Sequence, residues 1–401
     1  MGVYESLMRP GAAGHRRRLL FGLVALSLAS GGAVATRAAS ALPTATPACA
    51  VNRPATWPAG ERGRVYLCSY SEAGLTRTSY VYVPQGWTGR SAVPVVVALH
   101  GCTQQGPDMA YLSRFDSQAD RNGAIIVYPN QAAFKMTGTT SFDGNGSSCW
   151  NWFLPQGQQR GAGEPALIAG LTRQAVRLWR GDPARTYVIG ISAGGAMADI
   201  MAVTYPDLYA ATGILAGCEY TALPCLGSAG ALPPSVSAQR AYQAAPGRQR
   251  VVPFIVENGD ADNVVPLPNA VEVTQQWQIA DDAAAHHGTP ASQAPSLPCA
   301  RSNYVPATPV HTGIPPIVEN PYEILYYSLD GSACAKAPSS PAAALGELWI
   351  VNGEMHAWPG GPLLTTSDIY TNPGGPDFTE AAYRFFMAHP CRVARGACAP
   401  A

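Results

Sequence analysis

At 401 residues and 47% apolar content, the chain is long enough for one large α/β domain or two ordinary ones, and too apolar for a disordered polymer. Its 26 basic and 26 acidic side chains cancel, which excludes the basic footprint of a nucleic-acid binder. Charged residues make up only 13%, about half the ordinary share, so a neutral surface is expected; it suits a neutral or apolar substrate, and a simple bias toward Ala, Gly and Pro is the other reading.

The chain begins with a basic cluster, His15-Arg16-Arg17-Arg18, followed by an apolar run over residues 19–35 broken by Gly22, Gly31 and Gly32. Small residues at Ala33/Ala35 and Ala39/Ala41 have the spacing of export cleavage sites. Residues 1–41 are therefore expected to be a secretory signal rather than a spanning helix, with ordinary export favoured over a twin-arginine route. They hold five Arg and one Glu; without them, 21 basic residues face 25 acidic ones, a net charge of −4. No second apolar stretch approaches membrane-spanning length.

Ten cysteines follow, at 49, 68, 102, 149, 218, 225, 299, 334, 391 and 398. An even number in an exported chain points to disulfides, and no C-x-x-C or H-x-H spacing supports a metal. Pairing is not deducible from sequence; local guesses are Cys49–Cys68, Cys218–Cys225, Cys299–Cys334 and Cys391–Cys398, leaving Cys102–Cys149.

Residues 42–60 are rich in Pro and Ala and read as an extended segment, ahead of a single domain over 61–395. Residues 64–70 and 78–84 alternate like an antiparallel hairpin, and 93–99 is a continuous apolar β run of the kind buried on both faces. A short helix is expected over 115–121 and a buried strand over 124–128. Residues 129–163 read as one long loop carrying Cys149-Trp150-Asn151-Trp152, and loops of that length are usually functional. A helix over 164–180 and a strand over 186–190 follow. Beyond them come a helix over 196–203, a strand over 209–216, and an insertion over 218–250 with one helix. Strands at 251–257, 323–328 and 347–351 and helices at 269–285 and 377–388 complete the chain, with 286–320 irregular. Such alternation argues a mostly parallel sheet covered by helices on both sides.

The chemistry centres on Gly190-Ile191-Ser192-Ala193-Gly194, a G-x-S-x-G pattern between a strand and a helix. The glycines allow strand and helix to pass closely, and the turn lifts the Ser192 hydroxyl to the end of the sheet. A serine hydroxyl needs a base held by a carboxylate. Chain order Ser, then Asp, then His points to Asp262 and His356, each in a loop after a strand. Asp260 is the competing carboxylate, better suited to capping its loop; His100, His286, His287, His311 and His389 are weaker candidates for the base. Two donors must meet the oxyanion, and the backbone N–H groups of Ala193 and Cys102 stand in the right segments. Trp150, Trp152 and Trp358 are candidate aromatic walls around the acyl group, with core packing as the other reading.

Five motifs in order carry a resemblance: His100-Gly101-Cys102-Thr103-Gln104, Cys149-Trp150-Asn151-Trp152, the serine turn, Gly259-Asp260-Ala261-Asp262 with Val264-Val265-Pro266, and His356-Ala357-Trp358-Pro359-Gly360-Gly361. Together they resemble the secreted polyhydroxybutyrate depolymerase family of esterases, related to feruloyl and acetylxylan esterases. The resemblance implies an α/β-hydrolase fold with disulfide-stapled loops, a Ser192–Asp262–His356 triad, Cys102 and Ala193 at the oxyanion hole, and no cofactor. It implies an exported enzyme acting on poly(3-hydroxybutyrate)-type polyester or its oligomers, with a plant cell-wall ester as the alternative. No C-terminal substrate-binding domain is expected after residue 395, which favours amorphous polymer or oligomers over crystalline polyester. An acyltransferase would use the same residues and differ only in excluding water.

Overall fold

The computed structural model describes residues 49–136, 142–223, 225–230, 232–288, 290, 300–301, 309–311, 317–329, 342, 344–363 and 370–400. Contacts divide the chain into Met1–Thr46 and Pro47–Ala401, and every described residue lies in the second unit. The signal expected over 1–41 and the Cys299–Cys334 pair lie outside the described residues.

The main sheet is built from β1 (Ala50–Val51), β2 (Arg64–Glu72), β3 (Leu75–Val83), β4 (Val93–Leu99), β5 (Ile125–Pro129) and β6 (Gly181–Ile191). It continues with β7 (Thr212–Leu215), β8 (Phe254–Gly259), β9 (Ala300–Arg301), β10 (Tyr322–Tyr327) and β11 (Gly346–Val351). In space the order is β1-β2-β3-β5-β4-β6-β7-β8-β11-β10-β9. The run from β5 to β11 is parallel, so the loops leaving these strands all gather at one edge. Antiparallel strands flank it on both sides. This is the α/β-hydrolase arrangement.

The pattern of β4 explains its central place. Val95, Val97 and Leu99 enter one apolar core while Val96 and Ala98 enter the other, and all five are fully buried. Such a strand has no face left for water. On the first face pack α3 (Gly163–Leu178), α4 (Ala193–Thr204), α5 (Pro234–Ala244) and α6 (Pro268–Ala285). Ile168, Met197, Ile200 and Trp277 are their anchors. On the second face lie α1 (Gly106–Ser113), α2 (Phe115–Asn122) and α7 (Phe378–Ala388), anchored by Met109, Phe115, Phe378, Phe385 and Phe386. Each phenylalanine side chain buried in this way contributes about 1.5–3 kcal/mol. Among the described residues no helix is long and apolar enough to cross a membrane.

Several boundaries differ from the sequence expectation. Helix α1 is not legible in the sequence, because Gly106-Pro107 reads as a turn; Asp108 accepts from the Gln105 N–H at 2.7 Å and closes a capping box instead. The helix after Ser192 begins at Ala193 rather than at residue 196. The long loop contains a short 3₁₀ turn, Pro155–Gln158, and a small paired ribbon, Lys135–Met136 with Phe142–Asp143. Within 286–320, Ala300–Arg301, Pro309–His311 and Ile317–Val318 are paired in strands. The β2–β3 hairpin turns on Ala73 and Gly74, both at positive φ (51° and 80°), the conformation a two-residue connection requires.

Four disulfides are present among the described residues: Cys49–Cys68, Cys102–Cys149, Cys218–Cys225 and Cys391–Cys398. The first fastens β1 to β2, so the Pro-rich segment enters the sheet. Trp57 then buries its ring and donates to Asp116 at 2.9 Å.

Candidate active site

Ser192 sits between β6 and α4 with φ 58° and ψ −125°, a region that side chains other than glycine rarely occupy. Holding it there costs about 1–3 kcal/mol, which the surrounding contacts must offset. Its N–H donates to Leu215 O at 2.9 Å and its carbonyl accepts from Ala196 N at 2.9 Å, so both sides of the turn are pinned. Gly190 and Gly194 are required by space: a Cβ on Gly194 would collide with the Leu99 carbonyl, and one on Gly190 with the Gly194 carbonyl. A Cβ on Gly101 would stand 3.3 Å from Ser192 Cβ, which places the loop after β4 directly beside the serine.

The loops after β8 and β11 meet at the same edge. Asp262 Oδ2 accepts from His356 Nδ1 at 2.7 Å, and its Oδ1 accepts from the N–H groups of Val264 (2.8 Å) and Val265 (2.9 Å). Three donors thus hold a buried carboxylate, and the bond at Nδ1 directs Nε2, which has no hydrogen-bond partner among the described residues, away from Asp262. Asp260 acts elsewhere, accepting from Gly353 N at 2.6 Å through its Oδ1 and so tying the two loops together. Ala261 N donates to Glu354 O at 3.1 Å and reinforces the tie. Among the described residues no hydrogen bond joins the Ser192 hydroxyl to His356; in unliganded hydrolases this contact is commonly long and tightens with substrate. Tyr370, which sequence reasoning missed, stands edge-on to the His356 ring with centroids 6.3 Å apart.

The loop after β4 is held by its own side chains. Gly101 N donates to Gln104 Oε1 at 2.9 Å, and Thr103 N donates to Ser147 O at 2.6 Å. The Cys102–Cys149 disulfide joins the same two segments. Among the described residues, the N–H groups of Cys102 and Ala193 donate to no protein acceptor. His100 is fully buried, and burial pushes its imidazole down to about 4. It stays neutral, its Nδ1–H donating to Gly101 O (2.7 Å) while Nε2 accepts from Gln131 N (3.2 Å).

The tryptophans require correction. Trp150 and Trp358 are fully buried and form no open wall. Trp150 donates to His100 O at 3.0 Å, and Trp358 to Thr379 Oγ1 at 3.0 Å between the rings of Phe115 and Phe378. An indole gains most where its whole body is covered and its N–H still finds an acceptor, and both find one inside. Trp152 is also buried, with Phe153 edge-on to it at 5.8 Å; of these two rings it is Phe153 that reaches solvent.

Beneath this loop lies a hub that the sequence did not reveal. Glu164, at the start of α3, accepts from Asn151 N (2.6 Å), Asn151 Nδ2 (2.9 Å) and Gln131 Nε2 (2.6 Å), and pairs with Arg77 at 3.1 Å. Arg77 also pairs with Asp143 at 2.7 Å. An acidic residue in a first helical turn reads as an ordinary dipole partner, and nothing local signals its burial. Because Arg77 and Glu164 are both buried, Glu164→Ala should destabilise the fold by about 3–5 kcal/mol, measured by urea unfolding.

Residues 78–289 match the family described as esterase PHB depolymerase, more than half of the chain. The chain belongs to the esterase PHB depolymerase family. It is a carboxylic ester hydrolase. This esterase is 30% identical over 214 residues to a feruloyl esterase B from Neurospora crassa, covering 49% of this chain and 68% of that one. It is 35% identical over 151 residues to a poly(3-hydroxyalkanoate) depolymerase C from Paucimonas lemoignei, covering 37% of this chain but only 33% of that protein's length. In fold it is similar to an acetyl xylan esterase from Aspergillus awamori, with a TM-score of 0.53 and 18% identity over 78% of this chain and 94% of that one.

Proposed function

We propose that the protein is an exported serine esterase that cleaves hydroxyalkanoate polyester or its oligomers through an acyl-enzyme. The observation that carries the chemistry is the 2.7 Å Asp262–His356 bond at the edge where Ser192 stands in its strained turn. In this reading His356 Nε2 takes the Ser192 proton, the serine oxygen attacks the ester carbonyl, and the N–H groups of Cys102 and Ala193 receive the oxyanion. Protonated His356 then returns the proton to the leaving alkoxide, and water repeats the sequence to release the acid. Asp262 holds the tautomer and stabilises the imidazolium. Disulfides on the loops and the leader-like sequence over 1–41 support export.

The substrate class is argued from what the loops at this edge present. Phe134 (53% exposed), Leu226 (59%), Met355 (70%) and Leu363 (57%) stand in segments that follow β5, β7 and β11. Exposed apolar side chains in loops that leave the same end of the parallel strands as Ser192, Asp262 and His356 suit an aliphatic polyester, whose units offer few hydrogen-bond donors. The second reading, a feruloyl or acetylxylan esterase, is favoured by the longer alignment to the Neurospora protein. Amorphous poly(3-hydroxybutyrate), methyl ferulate and acetylated xylan, offered in parallel, separate the two. The polyester reading expects 3-hydroxybutyrate to be released fastest; faster ferulate or acetate release would retire it.

A further inference from the structure

His100 is the first residue beyond β4 and is completely buried. A neutral imidazole has one N–H and one lone pair, so its partners decide which nitrogen carries the proton. The Gln131 N–H meets Nε2 at 3.2 Å, and a donor there requires the lone pair. The proton therefore sits on Nδ1, which donates to Gly101 O at 2.7 Å. That carbonyl belongs to the same peptide unit as the Cys102 N–H. In a planar trans peptide the two point in opposite directions, so a grip on one aims the other. Thr103, just beyond, sits at φ 65°, a conformation that a β-branched residue keeps only when its surroundings hold it. The ring is braced in turn. Trp150 packs against it with centroids 5.1 Å apart and donates from Nε1 to His100 O at 3.0 Å. Gln131 Nε2 donates to Cys149 O (2.7 Å) and to Glu164 Oε1 (2.6 Å). The residue that sets the tautomer thus also holds the cysteine bonded to Cys102.

We propose that His100 is a positioning residue of the oxyanion hole: its Nδ1–H, fixed in that tautomer by the Gln131 N–H, holds the Gly101–Cys102 peptide so that the Cys102 N–H faces the developing oxyanion. This role rests on the triad and oxyanion reading above. It belongs to a histidine that exchanges no proton with substrate and acts only through the peptide it grips. Gly101 is close enough to the nucleophile for the aim to matter, since a Cβ on it would stand 3.3 Å from Ser192 Cβ. Burial pushes the imidazole down to about 4, so the ring keeps its neutral state at neutral pH.

Two substitutions divide the ring's bonds between them. Asparagine reproduces the Nδ1 position and can donate to Gly101 O, but leaves the Gln131 N–H without an acceptor. Glutamine reproduces the Nε2 position and can accept from Gln131 N, but puts no donor at Gly101 O. On a soluble p-nitrophenyl ester at about pH 7.5, His100→Gln should lose about 10²-fold in kcat with KM nearly unchanged, the effect of a misaimed oxyanion donor. His100→Asn should lose less than about tenfold. Affinity for an alkylboronic acid, whose tetrahedral serine adduct mimics the oxyanion, should fall in step with kcat. Thermal melting should give the opposite order, with His100→Asn lower, because it strands a buried N–H and leaves more space unfilled. A kcat order that follows the melting order, or equal kcat in the two variants, would overturn the proposal. If neither variant folds, the imidazole ¹⁵N shifts of wild type, assigned through the ring's contact with Trp150, decide: an Nδ1–H tautomer upholds it and an Nε2–H tautomer overturns it. Failure of the triad reading shows separately, as activity surviving Ser192→Ala. Failure of this inference alone leaves Ser192→Ala inactive and His100→Gln near the wild-type kcat.

Discussion

Ser192→Ala should lower kcat by about four to six orders of magnitude, with KM nearly unchanged and the fold intact. The proposed nucleophile is held by backbone: its N–H is bonded to Leu215 O and its carbonyl to Ala196 N, and alanine keeps both. Among the described residues its hydroxyl makes no hydrogen bond, so removing the oxygen leaves no partner stranded. The strained φ of 58° persists in the variant, because alanine also carries a Cβ. Stability should therefore stay within about 0.5 kcal/mol of wild type. Residual turnover would come from the oxyanion donors and binding alone. The checks are single-turnover kinetics on a soluble ester, labelling with an organophosphate, and thermal melting. Full activity in Ser192→Ala, or a label carried on another residue, would remove the nucleophile from the mechanism.

Asp262→Asn should cost about 10⁴ in kcat, whereas Asp260→Asn should cost less than about threefold. The two side chains are two residues apart in one loop, but their partners differ. Asp262 accepts from His356 Nδ1 and from two backbone N–H groups that point its oxygens inward. In Asp262→Asn the carbonyl oxygen satisfies the backbone pair, so the NH₂ group faces Nδ1. The imidazole then has to accept at Nδ1 and carry its proton on Nε2, where it can no longer take the serine proton. Asp260 accepts from Gly353 N, a bond that an asparagine oxygen can still make. Equal losses in the two variants would contradict the assignment. A wild-type level of activity in Asp262→Asn would contradict it outright.

Much of this molecule follows from short-range rules. The alternation of β4 between two apolar cores is visible in Val95 to Leu99, since side chains along a strand point to opposite faces. The sharp turn at Ser192 is visible in its flanking glycines, because only a missing Cβ lets Gly194 pass the Leu99 carbonyl. Cys218–Cys225 and Cys391–Cys398 follow from closeness along the chain. Helix α1 is hidden because its Gly-Pro start resembles a turn, and the buried side chains of Met109 and Leu112 justify it only once the sheet is beneath them.

By itself, then, the amino-acid order determined the alternating strands and helices, the serine turn and the succession of Ser192, Asp262 and His356, because each depends on steric limits and periodicities that reach only a few residues. The tertiary structure decided which aspartate meets the histidine, that Trp150 and Trp358 turn inward, and that Glu164, Glu257 and Glu354 lie buried beneath the loops. Those outcomes turn on whether a buried polar group finds a partner. Its partners come from distant parts of the chain: Arg77 for Glu164, Thr379 for Trp358.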